Sequence, residues 1–372
     1  MRRVLALGLL AALLLLNGCY DAADLGNRIF AINLALDTGN GAALRLTVQY
    51  PRITPVGKEP DESGDALDRN GYLIEQVEGE SLTACMELLS MATPRQVSLL
   101  QLRGVYLSES LAGQWDLLNE SMTALMGSYE ARPAASVYLT TGRAEDVLME
   151  KIPLFGARLS KSQAAQNGVL LELGVIPFAP LNRFYYGLSN PELSAVAVLA
   201  GVNVMQYIDS PPPAGVQHTA YLAGELPRNA VDKVDLCGSA VLEEEQLLYL
   251  DGYETQLFDL LTGYLRRMEL TVEGETATLN FPQTPSIRVK MDEETPVVNI
   301  GLYVRCEEAE AGRYTEQLQQ DVLALLLKLQ QHRMDPVGIA DRARMRALTI
   351  ADWKAMDWQT LYQRACFTVE VK

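Results

Sequence analysis

Leu44-Arg45-Leu46-Thr47-Val48-Gln49-Tyr50 alternates apolar and polar side chains without a break. Successive residues of a strand point to opposite faces of a sheet, so this stretch predicts a strand with one buried face. The apolar run 29–36 lies just upstream, and Asp37-Thr38-Gly39-Asn40-Gly41 between them supplies the small residues a tight turn needs. The unit reads as a β-hairpin. Further on the period changes: Leu82, Cys85, Met86 and Leu89 share one helical face behind Glu80 and Ser81, and Pro94 stops that helix. Val97, Leu99 and 105–107 return to strand, Trp115, Leu118, Met122 and Leu125 to helix, and 137–140 to strand. Ala144-Glu145-Asp146-Val147-Leu148 then has the acids of a helix start. Such alternation predicts a mixed α/β (α+β) fold.

The second half carries the same signals. Ile287, Val289 and Met291 alternate, as do Val298, Ile300, Leu302 and Val304, which predicts two neighbouring strands. Tyr314, Leu318, Val322, Leu325 and Leu329 mark the longest amphipathic helix, before Asp335-Pro336, and 367–371 closes as strand. Ser210-Pro211-Pro212-Pro213-Ala214-Gly215 is the clearest linker, because consecutive prolines stiffen the chain and cannot extend a central sheet. The expected organisation is a signal peptide at 1–18, an N-terminal mixed α/β region of one or two domains at 19–209, a Pro-rich linker and connector at 210–235, and a C-terminal α/β domain at 236–372. Residues 51–68, rich in Pro, Gly and acids, read as an exposed loop.

The 372 residues are enough for two or three domains at about 150 residues each. Lys+Arg 31 against Asp+Glu 47 gives a net charge of −16, a surface that repels nucleic-acid phosphates. Met1-Arg2-Arg3 precedes an uncharged apolar run from Val4 to Leu16, too short to span a bilayer but of the form of an export signal. Leu16-Asn17-Gly18-Cys19 follows and resembles the lipobox of bacterial lipoproteins, in which the cysteine thiol receives a diacylglyceryl group and cleavage leaves it as the first residue. A plain secretory signal with an incidental cysteine is the alternative. Removing residues 1–18 takes away Arg2 and Arg3 and no acid, which leaves −18.

Few residues suggest chemistry. The two histidines, His218 and His332, have no partner nearby in sequence and read as surface residues. Asp37-Thr38-Gly39 matches the aspartic-protease triplet, but that chemistry needs two such loops and the turn reading is preferred. GxSxG, GxGxxG and P-loop motifs are absent from the sequence. Glu243-Glu244-Glu245 cannot all face one ion and reads as a solvated loop. Cys85, Cys237, Cys306 and Cys366 form no CxxC pair. They permit three disulfide connectivities and read as buried free thiols, with one bridge among the last three left open. No catalytic residue, metal site or cofactor is expected beyond the acyl groups on Cys19.

The order of several short motifs resembles the Ger(x)C family, the lipoprotein C subunits of spore germinant receptors. Gly18-Cys19-Tyr20-Asp21 with Asp24-Leu25 is similar to the family opening, with Tyr20 in place of tryptophan. Glu130-Ala131-Arg132 and Gly142-Arg143-Ala144-Glu145-Asp146-Val147-Leu148 follow in order. Gly238-Ser239-Ala240-Val241, where Leu242 replaces an aromatic, resembles a family strand, and Leu250-Asp251-Gly252-Tyr253-Glu254-Thr255 a family turn. Gln330, Asp335, Gly338, Arg346, Trp353 and Trp358 follow the spacing of the closing segment.

The resemblance implies a three-domain mixed α/β ectodomain, tethered by lipid at the outer face of the spore inner membrane. It also implies partnership with an A subunit and a transporter-like B subunit, without enzymatic activity. It singles out Glu254 and Asp335 as polar residues in ordered turns. Arg342, Arg344 and Arg346, with Arg333, form a basic cluster that suits lipid headgroups or an acidic partner loop, or simply a solvated face. The second functional reading, from another class, is a solute-binding lipoprotein that captures a small nutrient directly.

Overall fold

The hairpin forms where the alternation places it. In the computed structural model, which describes residues 25–51, 72–152, 159–204, 217–244, 246–292, 295–308, 311–345 and 347–372, a short strand β1 (Arg28–Phe30) precedes β2 (Asn33–Thr38) and β3 (Leu44–Pro51). The last two pair antiparallel, Leu36 opposite Leu46. The chain continues through β4 (Tyr72–Gly79), α1 (Leu82–Ala92), β5 (Gln96–Ser98), β6 (Gly104–Ser108), α2 (Glu109–Ala112) and α3 (Trp115–Gly127). It then forms β7 (Ser136–Thr140), α4 (Ala144–Glu150), α5 (Leu159–Leu173), α6 (Leu181–Leu188) and β8 (Ala195–Val202). Ser81 caps α1 as its sequence position predicts, accepting the Ala84 N–H.

Strands β2, β6, β7 and β8 are parallel neighbours at the centre of one eight-stranded sheet, with β3 and β4 added antiparallel at one side. Side chains divide strictly by parity. Leu34, Leu36, Val105, Leu107, Val137 and Leu139 face a core shared with α1, α3 and α6, whereas Ala35, Tyr106, Tyr138 and Val198 face a second core with α4 and α5. Helices therefore cover both faces. This corrects the expectation of one buried face for 44–50: Thr47 and Gln49 are also fully buried, and they bond to Gln76 and Asn33.

Beyond the linker, β9 (Val234–Glu243) and β10 (Gln246–Leu250) complete the same sheet, β9 pairing antiparallel with β8. The sheet thus continues across 210–235. The chain then builds its second unit from α7 (Gly252–Thr262), β11 (Arg267–Val272), β12 (Glu275–Asn280), β13 (Ser286–Asp292), β14 (Thr295–Leu302) and β15 (Arg305–Cys306). The long helix α8 (Ala311–Gln331), α9 (Ile339–Arg344), α10 (Ile350–Ala355), α11 (Trp358–Tyr362) and β16 (Cys366–Val371) finish it. Strands β13 and β14 pair antiparallel as predicted, and β16 adds to β14 in parallel. The apolar stripe of α8, from Tyr314 to Leu329, lies in the core of this unit. The fold is mixed α and β throughout.

The signal peptide and lipobox, the 52–68 loop, the proline run 211–213 and Arg346 lie outside the described residues. All four described cysteines are free. Cys85 and Cys237 are buried, but Cys306 is half-buried and Cys366 exposed, which corrects the buried reading for those two.

Candidate functional site

Two of the polar residues singled out in the sequence, Glu254 and Asp335, lie at the seam where the second unit meets the shared sheet. At Gly238 the backbone takes φ 93°, and a Cβ there would sit 2.5 Å from the Leu250 carbonyl oxygen, so only glycine suits this crossing. At Gly252 a Cβ would strike the Thr219 carbonyl and the Cys237 sulfur. The next residues start α7 rather than a turn, which corrects the reading of Glu254. Asp251 Oδ1 accepts the Glu254 N–H at 2.8 Å, and the Glu254 carboxylate accepts the Asp251 N–H at 3.1 Å. This is a capping box, a reciprocal satisfaction of helix-end donors. Glu254 also receives the Lys328 ammonium of α8 at 2.7 and 2.8 Å. Ser239 and Thr255 share a hydrogen bond at 2.8 Å, and the Tyr253 hydroxyl donates to Asp321 at 2.6 Å.

A second set of contacts fastens the 190–194 loop to α9, α10 and α11. Asp335 is 3% exposed and faces inward, so it offers no surface to a partner. Its carboxylate accepts the N–H groups of Gly338, Ile339 and Ala340 at 2.9, 3.0 and 2.7 Å and so holds the entry to α9. The Asp335 N–H donates to Ser194 Oγ at 2.9 Å, and that hydroxyl donates to Glu243 at 2.5 Å. Glu243 is therefore half-buried at the end of β9, in the seam, rather than solvated in a loop. Burial pushes its carboxyl up to about 7, against the Ser194 hydrogen bond, and pushes Asp335 up to about 6, against its three backbone donors. The Trp353 indole N–H donates to Glu192 at 3.0 Å, and Gln359 to the Pro191 carbonyl at 2.7 Å. Gln330 bonds the carbonyls of Tyr362 and Ala365, both at 2.8 Å.

The motifs of the first half are equally committed. Glu130 receives Arg28 at 2.7 Å and the Leu99 N–H at 3.3 Å, tying down β1. Asp37 is buried rather than set in the turn, and it accepts the Ala144 and Glu145 N–H groups at 2.8 and 3.0 Å, capping α4 from the end of β2. Arg45 bridges Glu78 and Glu145 at 2.6 and 3.3 Å.

Arg342 and Arg344 stand apart from these networks, at the C-terminal end of α9, with no ion-pair partner among the described residues. His218 is half exposed, 3.8 Å from Glu269, and His332 is exposed. No cluster of three or more metal-ligating side chains occurs among the described residues. The seam holds a cleft of about 140 Å³ beside Ser194 and Asp335, small against the 300–1,000 Å³ of typical small-molecule sites. A wider groove of about 460 Å³ runs between α5 and β11 past Leu173, Gln256 and Met268. There the Gln256 amide is already bonded to the Leu173 carbonyl and to Thr219.

Sequence reasoning missed Ser194 and Glu192, because nothing local distinguishes a polar residue spent on a contact more than a hundred positions away, and it misread Glu243, whose partner Ser194 lies 49 positions upstream. Asp259 was missed too: it is buried on α7 with neither carboxylate oxygen partnered among the described residues.

Two units sharing one sheet, with their polar motifs turned inward as joints, define a two-part α+β fold. Comparison with known proteins gives this class its family. Residues 21–201 match the spore germination protein N-terminal domain, and residues 237–372 match the spore germination B3/GerAC-like C-terminal domain. A protein of Bacillus subtilis (strain 168), YfkR, named for a role in spore germination, is 18% identical over 375 residues, covering 94% of this chain and 90% of its own. The crystal structure of the GerBC protein superposes with a TM-score of 0.52 at 16% identity, over 91% of this chain and 95% of that one, which establishes likeness of fold. The chain belongs to the Ger(x)C family, the germinant receptor C-subunit type of spore germination protein.

Proposed function

We propose that the protein is a lipid-anchored, non-enzymatic subunit of a nutrient germinant receptor, held at the outer face of the spore inner membrane by a diacylglyceryl group on Cys19. Its body docks an A subunit and a transporter-like B subunit. The observation that carries this reading is the match of both halves, in order, to the two domains of the germination family. Leu16-Asn17-Gly18-Cys19 supports the anchor. No helix among the described residues is long and apolar enough to cross a membrane, so attachment through this cysteine would supply what the folded body does not.

The inward commitment of Glu254, Asp335, Glu243 and Asp37 supports a scaffolding role, since each carboxylate is already engaged by backbone or side-chain donors. Confinement to the membrane plane raises the local concentration of the docking surface, and a jointed body favours one receptor conformation over another through differential contacts. The test is metabolic labelling with palmitate. The wild-type chain takes up label and stays with membranes through a high-salt wash, which weakens electrostatic contacts, whereas Cys19→Ser takes up no label and is washed off. Equal membrane retention of the Cys19→Ser chain would refute the anchor.

A further inference from the structure

Met345, Leu348 and Ile350 are 78%, 95% and 71% exposed, three large aliphatic side chains within six residues. They stand on a fixed base. Ile339, Ala340 and Ala343 on the near side and Trp353 on the far side are buried in the core of the second unit, and Asp335 holds the entry to α9. Arg342 and Arg344 precede the tips in the last turn of α9, and the sequence holds no acid from 342 to 351, in a chain whose net charge is −16. Arginines at the end of α9 suit its dipole, but that leaves the apolar tips unexplained.

We propose that this segment is a membrane-contact surface, in which Met345, Leu348 and Ile350 enter the headgroup region of an anionic bilayer while Arg342 and Arg344 pair with lipid phosphates. The proposal deepens the membrane-tethered reading above and rests on it. Three projecting side chains fall short of the roughly 1,000 Å² that a stable protein interface clears. A lipid surface needs no shape complementarity, and basic residues beside apolar ones are what interfacial insertion takes. The charge argument is selective: a body of net charge −16 is repelled by anionic lipid on average, so contact is favoured through a local cationic face.

The experiment uses the full mature chain from residue 19 carrying Cys19→Ser, so that no acyl group contributes. It is floated with vesicles of phosphatidylcholine alone or mixed with phosphatidylglycerol. The chain is expected to float with the mixed vesicles only. Combined Met345→Ser, Leu348→Ser and Ile350→Ser abolishes flotation, and Arg342→Gln with Arg344→Gln lowers partitioning about thirtyfold, at about 1 kcal/mol per arginine near the surface. All five positions are exposed or half-buried, so thermal midpoints stay within a degree or so, which separates lost binding from lost folding.

Absence of flotation by the parent chain, or flotation indifferent to these substitutions, would overturn the proposal. So would a dimer that dissociates on Leu348→Ser, which assigns the patch to a second copy, or variants that float normally but lose receptor partners, which assign it to a protein. Palmitate labelling at Cys19 is read separately, so failure of the anchor and failure of this surface remain distinguishable.

Discussion

Replacing Asp335 by Ala is expected to lower the unfolding free energy by about 3–4 kcal/mol, seen as a lower urea midpoint. The carboxylate accepts three backbone N–H groups, of Gly338, Ile339 and Ala340, and two of those bonds are fully buried. Truncation leaves the donors without a partner at about 1–3 kcal/mol each, offset in part by removal of a buried acid. Asn keeps an acceptor at the Oδ1 position, which serves Gly338 and Ile339, and loses the bond from Ala340; it should cost about half as much. A structural cap predicts that ordering, Ala worse than Asn. The loss extends beyond α9, because Ser194 bonds the same loop to Glu243 on β9. Loosened packing of the second unit against the shared sheet should appear as faster proteolysis at the 190–194 loop.

Asp259→Asn should stabilise the protein at pH 8 by about 4 kcal/mol and leave it nearly unchanged at pH 4. Burial pushes the Asp259 carboxyl from 3.8 up to about 8, opposed only by the charge of Arg183. The folded state therefore keeps a proton that the unfolded chain has released, and stability falls as pH rises from about 4 to about 8. At about 1.4 kcal/mol per unit the wild type loses several kcal/mol across that window, while the amide, which does not titrate, loses none of it. The melting temperature of the variant should exceed that of the wild type by roughly 5–10 °C at pH 8. Glu243 and Asp335, raised to about 7 and about 6, bend the wild-type profile the same way. The protein is thus expected to be most stable on the acid side of neutrality. A melting profile that rises between pH 5 and pH 8 would show that these carboxyls are ionised and compensated in the fold.

What was legible in the sequence is what periodicity encodes. Helices α1 and α8 and the β13–β14 pair each bury one apolar stripe against one layer, and β3 alternates because its second buried face is polar, so each is visible as a repeat of two or 3.6. Helix α5 was not seen, because its inward face carries Gln163, whose amide bonds the hydroxyls of Tyr106 and Tyr138 at 3.3 and 3.2 Å. A polar residue in a core breaks the stripe. Strand β8, buried on nearly its whole length on both faces, shows as a continuous apolar run with no period. The seam was half legible: its glycines and carboxylates were marked by resemblance, but their roles as close crossings and helix caps depend on partners far away in sequence. Glu254 shows the difference, a turn residue by its neighbours and a helix cap paired with Lys328 by its contacts.

The central claim, that this body serves as a docking subunit of a germinant receptor, is tested most directly by isolating the tagged protein from spore membranes in mild detergent and identifying what accompanies it. An A subunit and a polytopic, transporter-like B subunit are expected to co-purify in constant proportion. Recovery of the intact, lipidated chain without either of them, under conditions that keep another receptor complex together, would contradict it.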